Sequence, residues 1–514
     1  MTAPAESLTA APLVTRRFTT ASGAVVAELA PHVTAPAVFR RLAAAPHVVF
    51  LDSAALDERP AHDAPDVELP RLGRYSFVAA DPIHSVVVPA DGSAADIAAA
   101  FAALRGLLTD LGCATIPALP PFQGGVAGLV AYECGLARLG LDAPQPPAAG
   151  VPLVALHVYD VVVAFDHDAG RGWIISQGVP AKGPVARRER ATARLDALLE
   201  RLAAPEPCRP AAAPPAPLPP GAEHPLPTHP HVFATHSAEA YREMVQRGIE
   251  FVRAGDVFQV NLAQRFAVAT SVDPVDLSTC ARTLNPAPFA GFFDAGTCRI
   301  ASMSPERFLQ VTRGTVRMHP IKGTRRVIAS PEADLYAGDD LGESAKDRAE
   351  NVMIVDLVRN DLSRVCVPAS VRVEALCRLE RYRYVQHLVS IVAGRLRRGL
   401  TSLDALEAAL PGGSVTGAPK HRACEIITEL EGFARGAYCG SLGYIGFDGT
   451  ADFNLLIRTF VATPGLVTFA AGGGITAASD PAAEHAESLH KAEGMLRVLD
   501  AVSAATGREA ASRS

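Results

Sequence analysis

The chain has 514 residues, 49% of them hydrophobic and 20% charged, with a formal net charge of −6. This composition excludes a disordered or low-complexity protein, and with no basic excess it excludes a broad nucleic-acid-binding face. The nine cysteines are scattered without a Cys-x-x-Cys pair, which argues against a disulfide framework or zinc ribbon and for a reducing, cytoplasmic compartment. The start, MTAPAESLTAAPLVTRRF, lacks the charged and apolar regions of a signal peptide. The apolar stretch VPLVALHVYDVVVAF is broken by His157 and Asp160 and is too short to cross a bilayer.

In chain order, HVVFLDSA, RYSFVAADP, SVVVPADG and VALHVYDVVVAFDHD read as short strands, rich in β-branched residues and bounded by turn formers. DIAAAFAALRGLLTDLG and ARRERATARLDALLERLAA read as amphipathic helices. Residues 1–203 therefore form a mixed α and β region. Residues 204–231, APEPCRPAAAPPAPLPPGAEHPLPTHPH, carry too much proline for a helix interior or central strand and predict an extended linker. His224, His229, His231 and His236 near its end either gather a metal or stay solvated, as histidines of proline-rich segments do.

Residues 232–505 form the next region. SAEAYREMVQRGIEFVRAG predicts a helix from an N-cap at Ser237 to Gly255, and DVFQVNLAQRFAVAT alternates as a strand. FAGFFDAG, CRIASMSPERFLQVTRGTVRMHPIKG and GSLGYIGFDG suggest antiparallel hairpins. KDRAENVMIVDLVRNDLSRV and APKHRACEIITELEGF are helical, and a last helix opens at Asp480–Pro481. Residues 506–514 read as a disordered tail. No βαβ rhythm is present, so the fold class is α+β, built on antiparallel sheets.

Five segments could carry chemistry: GDVFQVN (255–261), SPERF (304–308), PIKGTRR (320–326), DRAENVMIVDLVRND (347–361) and AAEHAESLHKAEGM (482–495). Glu350 and Glu487, on separate helices, could share a magnesium ion, which takes hard oxygen ligands. Equally, Glu487 could form a solvated i,i+4 pair with Lys491. Lys322 is a nucleophile if burial or nearby cations depress its pKa, and otherwise a solvated turn lysine. Glu306 is an acid donor in a dry pocket or a surface charge at a strand start. PGGSVTGAPK (411–420) and AGGGIT (471–476) fit neither a phosphate loop nor a dinucleotide fingerprint. Their backbone amides suit a carboxylate, and tight turns would need the same glycines.

Together and in this order, these segments resemble the chorismate-binding enzymes: anthranilate synthase large components, aminodeoxychorismate synthases, isochorismate synthases and salicylate synthases. DRAENVMIVDLVRND and GSVTGAPK carry most of the likeness, which covers residues 237–500 strongly. Upstream it is looser, through FLDS (50–53), GRYSFVAADP (73–82) and GGVAGLVAYE (124–133). The resemblance implies two large antiparallel sheets packed as a sandwich with surrounding helices. It implies chorismate as substrate and Mg²⁺ held between Glu350 and Glu487. It further implies Arg458 and Tyr438 at a substrate carboxylate, with backbone amides around Gly472 and Gly474 and with Lys491 near the same anions. Gly323, Thr324 and Ser414 should line the pocket, His387 should approach the ring, and Glu306 should protonate the departing C4 hydroxyl.

Two positions separate the subfamilies. Isochorismate and salicylate synthases use a lysine to activate water where this chain has Gln259, and glutamine has no basic nitrogen. Anthranilate synthases usually read PIAGT where this chain reads PIKGT, as aminodeoxychorismate synthases do. That resemblance implies covalent attack by Lys322, with Arg325 and Arg326 as candidates to lower its pKa, and 4-amino-4-deoxychorismate as product. The alternative is an anthranilate synthase component with a variant lysine. Ammonia is expected from a separate glutamine amidotransferase subunit, because no cysteine sits in a Gly-x-Cys-x-Gly elbow. Ser53 of FLDS matches the tryptophan-binding region of relatives, so tryptophan is a further ligand to expect; a sheet-core serine is the alternative.

Overall fold

The computed structural model describes residues 12–54, 72–144, 150–207, 213–326, 345–381 and 385–513, apart from the side chains of 324–326, 345–347, 381, 385 and 506–513. Two antiparallel sheets dominate it, one of fourteen strands and one of ten. Each hydrophobic run serves two cores. In Val161–Asp166, Val161, Val163 and Phe165 face a cluster shared with helices, while Val162 and Ala164 face the other sheet. In Gly125–Val130, Ala127 and Leu129 join the inter-sheet core and Val126 and Val130 pack outward. Side chains of a strand point alternately to opposite faces, so a strand buried on both faces loses its polar positions. The result is four layers: helices, sheet, sheet, helices. This is the sandwich expected from the sequence.

Strands from both sides of the proline-rich segment share both sheets. Val49–Asp52 pairs with Phe289–Asp294 in the larger sheet. Gly125–Val130 pairs with Ser441–Gly446 in the smaller one. The linker is also shorter than its proline content suggested. His224–Leu226 and His229–Ala234 form a hairpin at the edge of the larger sheet. Only Phe233 and Ala234 of this hairpin pair inward, with Ala267 and Phe266, so Pro225 and Pro230 cost no inner ladder bond. At the other end, the backbone of the last helix, Pro481–Arg513, continues past the point where a disordered tail was expected.

Helix boundaries follow their local chemistry. Ser237 accepts from the Ala240 amide, and Gly255 ends that helix at φ 85°, a conformation that costs glycine little.

Two buried ion pairs fix the helices, one to other helices and one to the larger sheet. Lys420, at the start of Lys420–Glu431, donates to Asp361 at 2.7 Å and to the Ala409 carbonyl at 3.0 Å. Arg435 donates to both oxygens of Glu431, to the Val415 carbonyl at 2.9 Å and to the Asn261 carbonyl at 2.8 Å. Its guanidinium also lies over the rings of Tyr132 and Tyr438, and Glu431 accepts from the Ala263 amide at 2.8 Å.

Removing one member of such a pair strands a buried charge. Asp361→Ala is expected to lower stability by about 3–5 kcal/mol, while the double replacement Asp361→Leu with Lys420→Met recovers most of that loss. Urea unfolding of the three variants against the parent measures it.

Candidate functional site

The site forms where the chain crosses between the sheets. Arg299–Ser304 belongs to the larger sheet and Arg307–Thr312 to the smaller, with Pro305 and Glu306 between them. Ala451–Leu455 and Thr459–Thr463 make the reverse crossing, with Arg458 in the turn. The two crossings run side by side. Leu455 donates its amide to the Glu306 carbonyl at 3.1 Å, and Met303 donates to the Arg458 carbonyl at 3.0 Å. Arg458 sits at φ 51°, in the left-handed region that side-chain-bearing residues seldom adopt.

Lys322 lies in Ile321–Arg326, an edge strand of the smaller sheet. A bulge separates the pairs Lys322–Leu388 and Thr324–His387, and Gly323 occupies it at φ 71°, as a bulge of that kind requires. The Lys322 ammonium donates to the Ser414 carbonyl at 3.1 Å. The Ser414 hydroxyl donates to Glu306 Oε1 at 2.6 Å. Ser414 thus joins amine and acid from its short turn, Gly413–Val415.

Burial shifts these groups toward neutrality. It pushes the Glu306 carboxyl up to about 7, against the Ser414 hydrogen bond and the Lys322 charge. It lowers the Lys322 pKa, with Lys491 adding to the effect and Glu350, Glu306 and Glu487 opposing it. It pushes His387 down to about 3, helped by Arg458 and opposed by a backbone hydrogen bond at Gly323. His387 is therefore a neutral imidazole at ordinary pH. Arg458 is itself lowered by burial, and among the described residues no carboxylate pairs with it. A buried guanidinium without a counterion is suited to an anionic ligand.

The opposite wall comes from the larger sheet. Leu466–Ile475 pairs with Gln259–Ala269 along its length, but its pairing with Thr459–Thr463 ends at Thr468. Beyond that residue its other edge faces no described strand, so, apart from the Gly472 carbonyl that Lys491 takes, outward backbone groups of the Gly472–Gly474 run are open to a ligand. Gln259 is buried and packs its amide nitrogen over Gly474, where a Cβ would lie 1.8 Å from Nε2. Its Oε1 accepts no hydrogen bond among the described residues.

Glu350, on Ala345–Ser363, and Glu487, on Pro481–Arg513, both act on the Lys322 charge. Lys491 meets Glu487 at 2.7 Å, both side chains about half exposed, and donates to the Gly472 carbonyl at 2.9 Å. The solvated pair allowed by the sequence therefore exists, beside the cleft. Among the described residues no three His, Cys, Asp or Glu side chains gather at metal-binding spacing. Two carboxylates with water in the remaining positions still suit Mg²⁺, which keeps several waters. Glu484 also reaches over Gly473 next to Glu487, so the donor chemistry fits a hard divalent cation.

With this geometry in view, comparison with known proteins is decisive at the family level. A profile of the chorismate binding enzyme family matches residues 71–497. The chain belongs to the chorismate-binding enzyme family. It is 39% identical over 437 residues to anthranilate synthase component 1 of Streptomyces coelicolor, covering 84% of this chain and 82% of that protein. It is 40% identical over 380 residues to aminodeoxychorismate synthase component 1 of Klebsiella aerogenes, covering 74% and 78%. The crystal structure of anthranilate synthase component I from Streptococcus pneumoniae superposes with a TM-score of 0.68 at 29% identity, covering 85% of this chain and 95% of that one. The menaquinone-specific isochorismate synthase of Escherichia coli shares the fold, with a TM-score of 0.66 at 16% identity, covering 94% and 96%.

The structure of this chorismate-binding enzyme thus gathers Glu306, Lys322, Ser414, Glu350, Glu487 and Lys491 by contact or charge. It sets His387 beside Arg458, and Gln259 against Gly474. Tyr438 is buried under the Arg435 guanidinium. The side chains of Thr324, Arg325 and Arg326 lie outside the described residues. Ser53 belongs to a different network: its hydroxyl donates to the Tyr75 carbonyl at 2.6 Å and its amide to Ser76 Oγ at 3.1 Å, while Arg282 binds the adjacent Asp52 at 2.6 Å. Sequence reasoning missed Asn351. It is fully buried, donates to the Leu388 carbonyl at 3.2 Å and accepts from Ser390. It thereby clamps the Glu350 helix to the strand that carries His387. An asparagine directly after Glu350, at the head of the apolar run 352–355, was its visible signal.

Glu306 gives a linkage test. Its folded pKa is raised from 4.5 to about 7, so the folded state holds its proton more tightly and stability is lost as pH rises through that window. Glu306→Gln keeps the Ser414 contact and removes this penalty. At pH 8 the variant is expected to be more stable than the parent by about 3 kcal/mol, with the difference vanishing near pH 4. Denaturant unfolding at the two pH values checks it, and turnover should fall about 10²–10⁴-fold.

Proposed function

We propose that this chain is the ammonia-dependent component of an aminodeoxychorismate synthase, converting chorismate to 4-amino-4-deoxychorismate through a covalent bond to Lys322. The observation that carries the reading is the amine of Lys322 held inside the cleft, next to Ser414 and within the field of Glu306. Where the PIAGT sequence of anthranilate synthases leaves a methyl group, this cleft presents a nucleophile whose pKa is lowered.

In the proposed reaction neutral Lys322 attacks C2, both ring double bonds shift along by one bond, and the C4 hydroxyl leaves as water with the Glu306 proton. The carboxylate left on Glu306 takes the surplus proton from the new C2–N bond. Ammonia then adds at C4, both double bonds shift back, and the C2–N bond breaks. Lys322 departs as an amine with the Glu306 proton, and the new C4 ammonium returns one proton to Glu306. The sum is chorismate plus ammonia giving 4-amino-4-deoxychorismate plus water. Covalent catalysis divides one hard displacement into two easier ones. Arg458 and the open edge at Gly472–Gly474 would hold carboxylates, Tyr438 would close the pocket, and neutral His387 would orient the ring. Glu350 and Glu487 would hold Mg²⁺, which neutralises substrate carboxylate charge when bound. Gln259 cannot take a proton from water, so hydroxylation is disfavoured. The ammonia would come from a glutamine amidotransferase subunit. Tryptophan remains a proposed ligand of the Ser53 region, and the product a precursor for 4-aminobenzoate and folate.

A second reading, anthranilate synthase component I, draws on the relatives of that name. Product chromatography with chorismate, Mg²⁺ and ammonia separates the two: 4-amino-4-deoxychorismate is expected, and anthranilate as the only product would overturn the proposal. Lys322→Ala should lose at least about 10²-fold in the amination, together with the lysine adduct seen by mass spectrometry in the parent. Chelation should abolish turnover, and Glu487→Gln should raise the Mg²⁺ concentration for half-maximal rate by about tenfold, because a neutral oxygen replaces a charged ligand.

A further inference from the structure

A cavity of about 420 Å³, sharing no lining residue with the cleft that holds Lys322, is walled by Arg105, Arg138, Arg364 and Arg397 together with Asp404 and Glu407. The charges do not cancel. Arg105 binds Asp404 at 3.0 Å and also Glu407, and Arg138 binds Glu407 at 2.7 Å. Arg364 and Arg397 form no ion pair among the described residues. Arg397 donates to the Arg364 carbonyl, and its own amide donates to the Val365 carbonyl at 3.0 Å, so backbone contacts hold the two arginines beside each other. Arg364 lies within the field of Asp361, and both it and Arg397 are exposed; four guanidiniums against two carboxylates still line one cavity, in a chain whose net charge is −6. The end of the Ala345–Ser363 helix accounts for one of these cations through its dipole, but not for the others.

The rest of the wall is apolar, with Leu400 and Leu410 among its residues. The volume lies within the range of small-molecule sites, which combine apolar lining with a few placed polar groups. Guanidinium forks bind phosphate and carboxylate oxygens in bidentate fashion.

We infer that this cavity is a binding site for a small organic dianion, its charged head between Arg364 and Arg397 and its apolar body against Leu400 and Leu410. Phosphate monoesters and dicarboxylates share that chemistry. The test is calorimetric titration of the full chain with phenyl phosphate and with phthalate, against benzoate (one charge) and inorganic phosphate (no apolar body). One of the first two should bind saturably and at least about tenfold more tightly than either control, and which one does so names the head group. The double variant Arg364→Ala with Arg397→Ala should lose that binding about tenfold or more, with kcat and KM for chorismate unchanged because neither residue belongs to the cleft. The double lysine variant keeps both charges and should bind at an intermediate strength, which separates charge loss from unfolding. Absence of saturable binding by both dianions overturns the assignment. So does binding that the alanine variant leaves intact, since the anion would then sit elsewhere, the substrate cleft included.

Discussion

Arg435 touches three walls of the cleft through one planar group. Its guanidinium reaches the Val415 carbonyl beside Ser414, the Asn261 carbonyl two residues after Gln259, and both oxygens of Glu431, and it lies against the ring of Tyr438. A flexible ammonium could not satisfy these directions together, whereas a rigid fork can. The loop that joins Lys322 to Glu306 is therefore referenced to the sheet on the opposite side of the site. Catalytic groups must be held within fractions of an ångström to work together, and here a charge pair buried among aromatic rings supplies that registration. The Asn351 clamp has the same function for the helix that carries Glu350.

Burial does double duty around Lys322 and Glu306. Removing water disfavours whichever form is charged. For a carboxyl this favours the protonated form, and for an amine it shifts the balance toward the deprotonated one. The general acid and neutral nucleophile of the proposed reaction would need those two states, toward which one dry environment shifts both groups without a dedicated base. The cost is stability, lost as pH rises for Glu306, whose folded pKa is raised, and as pH falls for Lys322, whose folded pKa is lowered, a trade commonly found at active sites. His387 is held neutral by the same means, and so does not add a further positive charge next to Arg458.

Much of this was legible in the sequence. Val161–Asp166 and Gly125–Val130 announce strands through their apolar runs, and Ser237 and Gly255 mark a helix at both ends. Lys322, Glu306, Glu350 and Glu487 could be nominated from their motifs, but their convergence could not be read from spacing, because they come from separate strands, a crossing and two helices. The hairpin of 224–234 was hidden by its prolines, which normally exclude strands and are tolerated here only at a sheet edge. Arg435 and Asn351 were silent for another reason. A polar residue in a helix or its following turn reads as solvated until its carbonyl partners are known, and those partners lie far off along the chain.

The interleaving of early and late strands also bears on how the molecule is made. Val49–Asp52 and Gly125–Val130 leave the ribosome long before Phe289–Asp294 and Ser441–Gly446, the segments that complete their pairing. Until then their apolar faces and unpaired edges stay open to the wrong neighbours. Such distant pairing slows folding, so nascent chains should dwell on chaperones, and a nonsense or frameshift lesion late in the message should yield aggregated polypeptide rather than a soluble amino-terminal fragment.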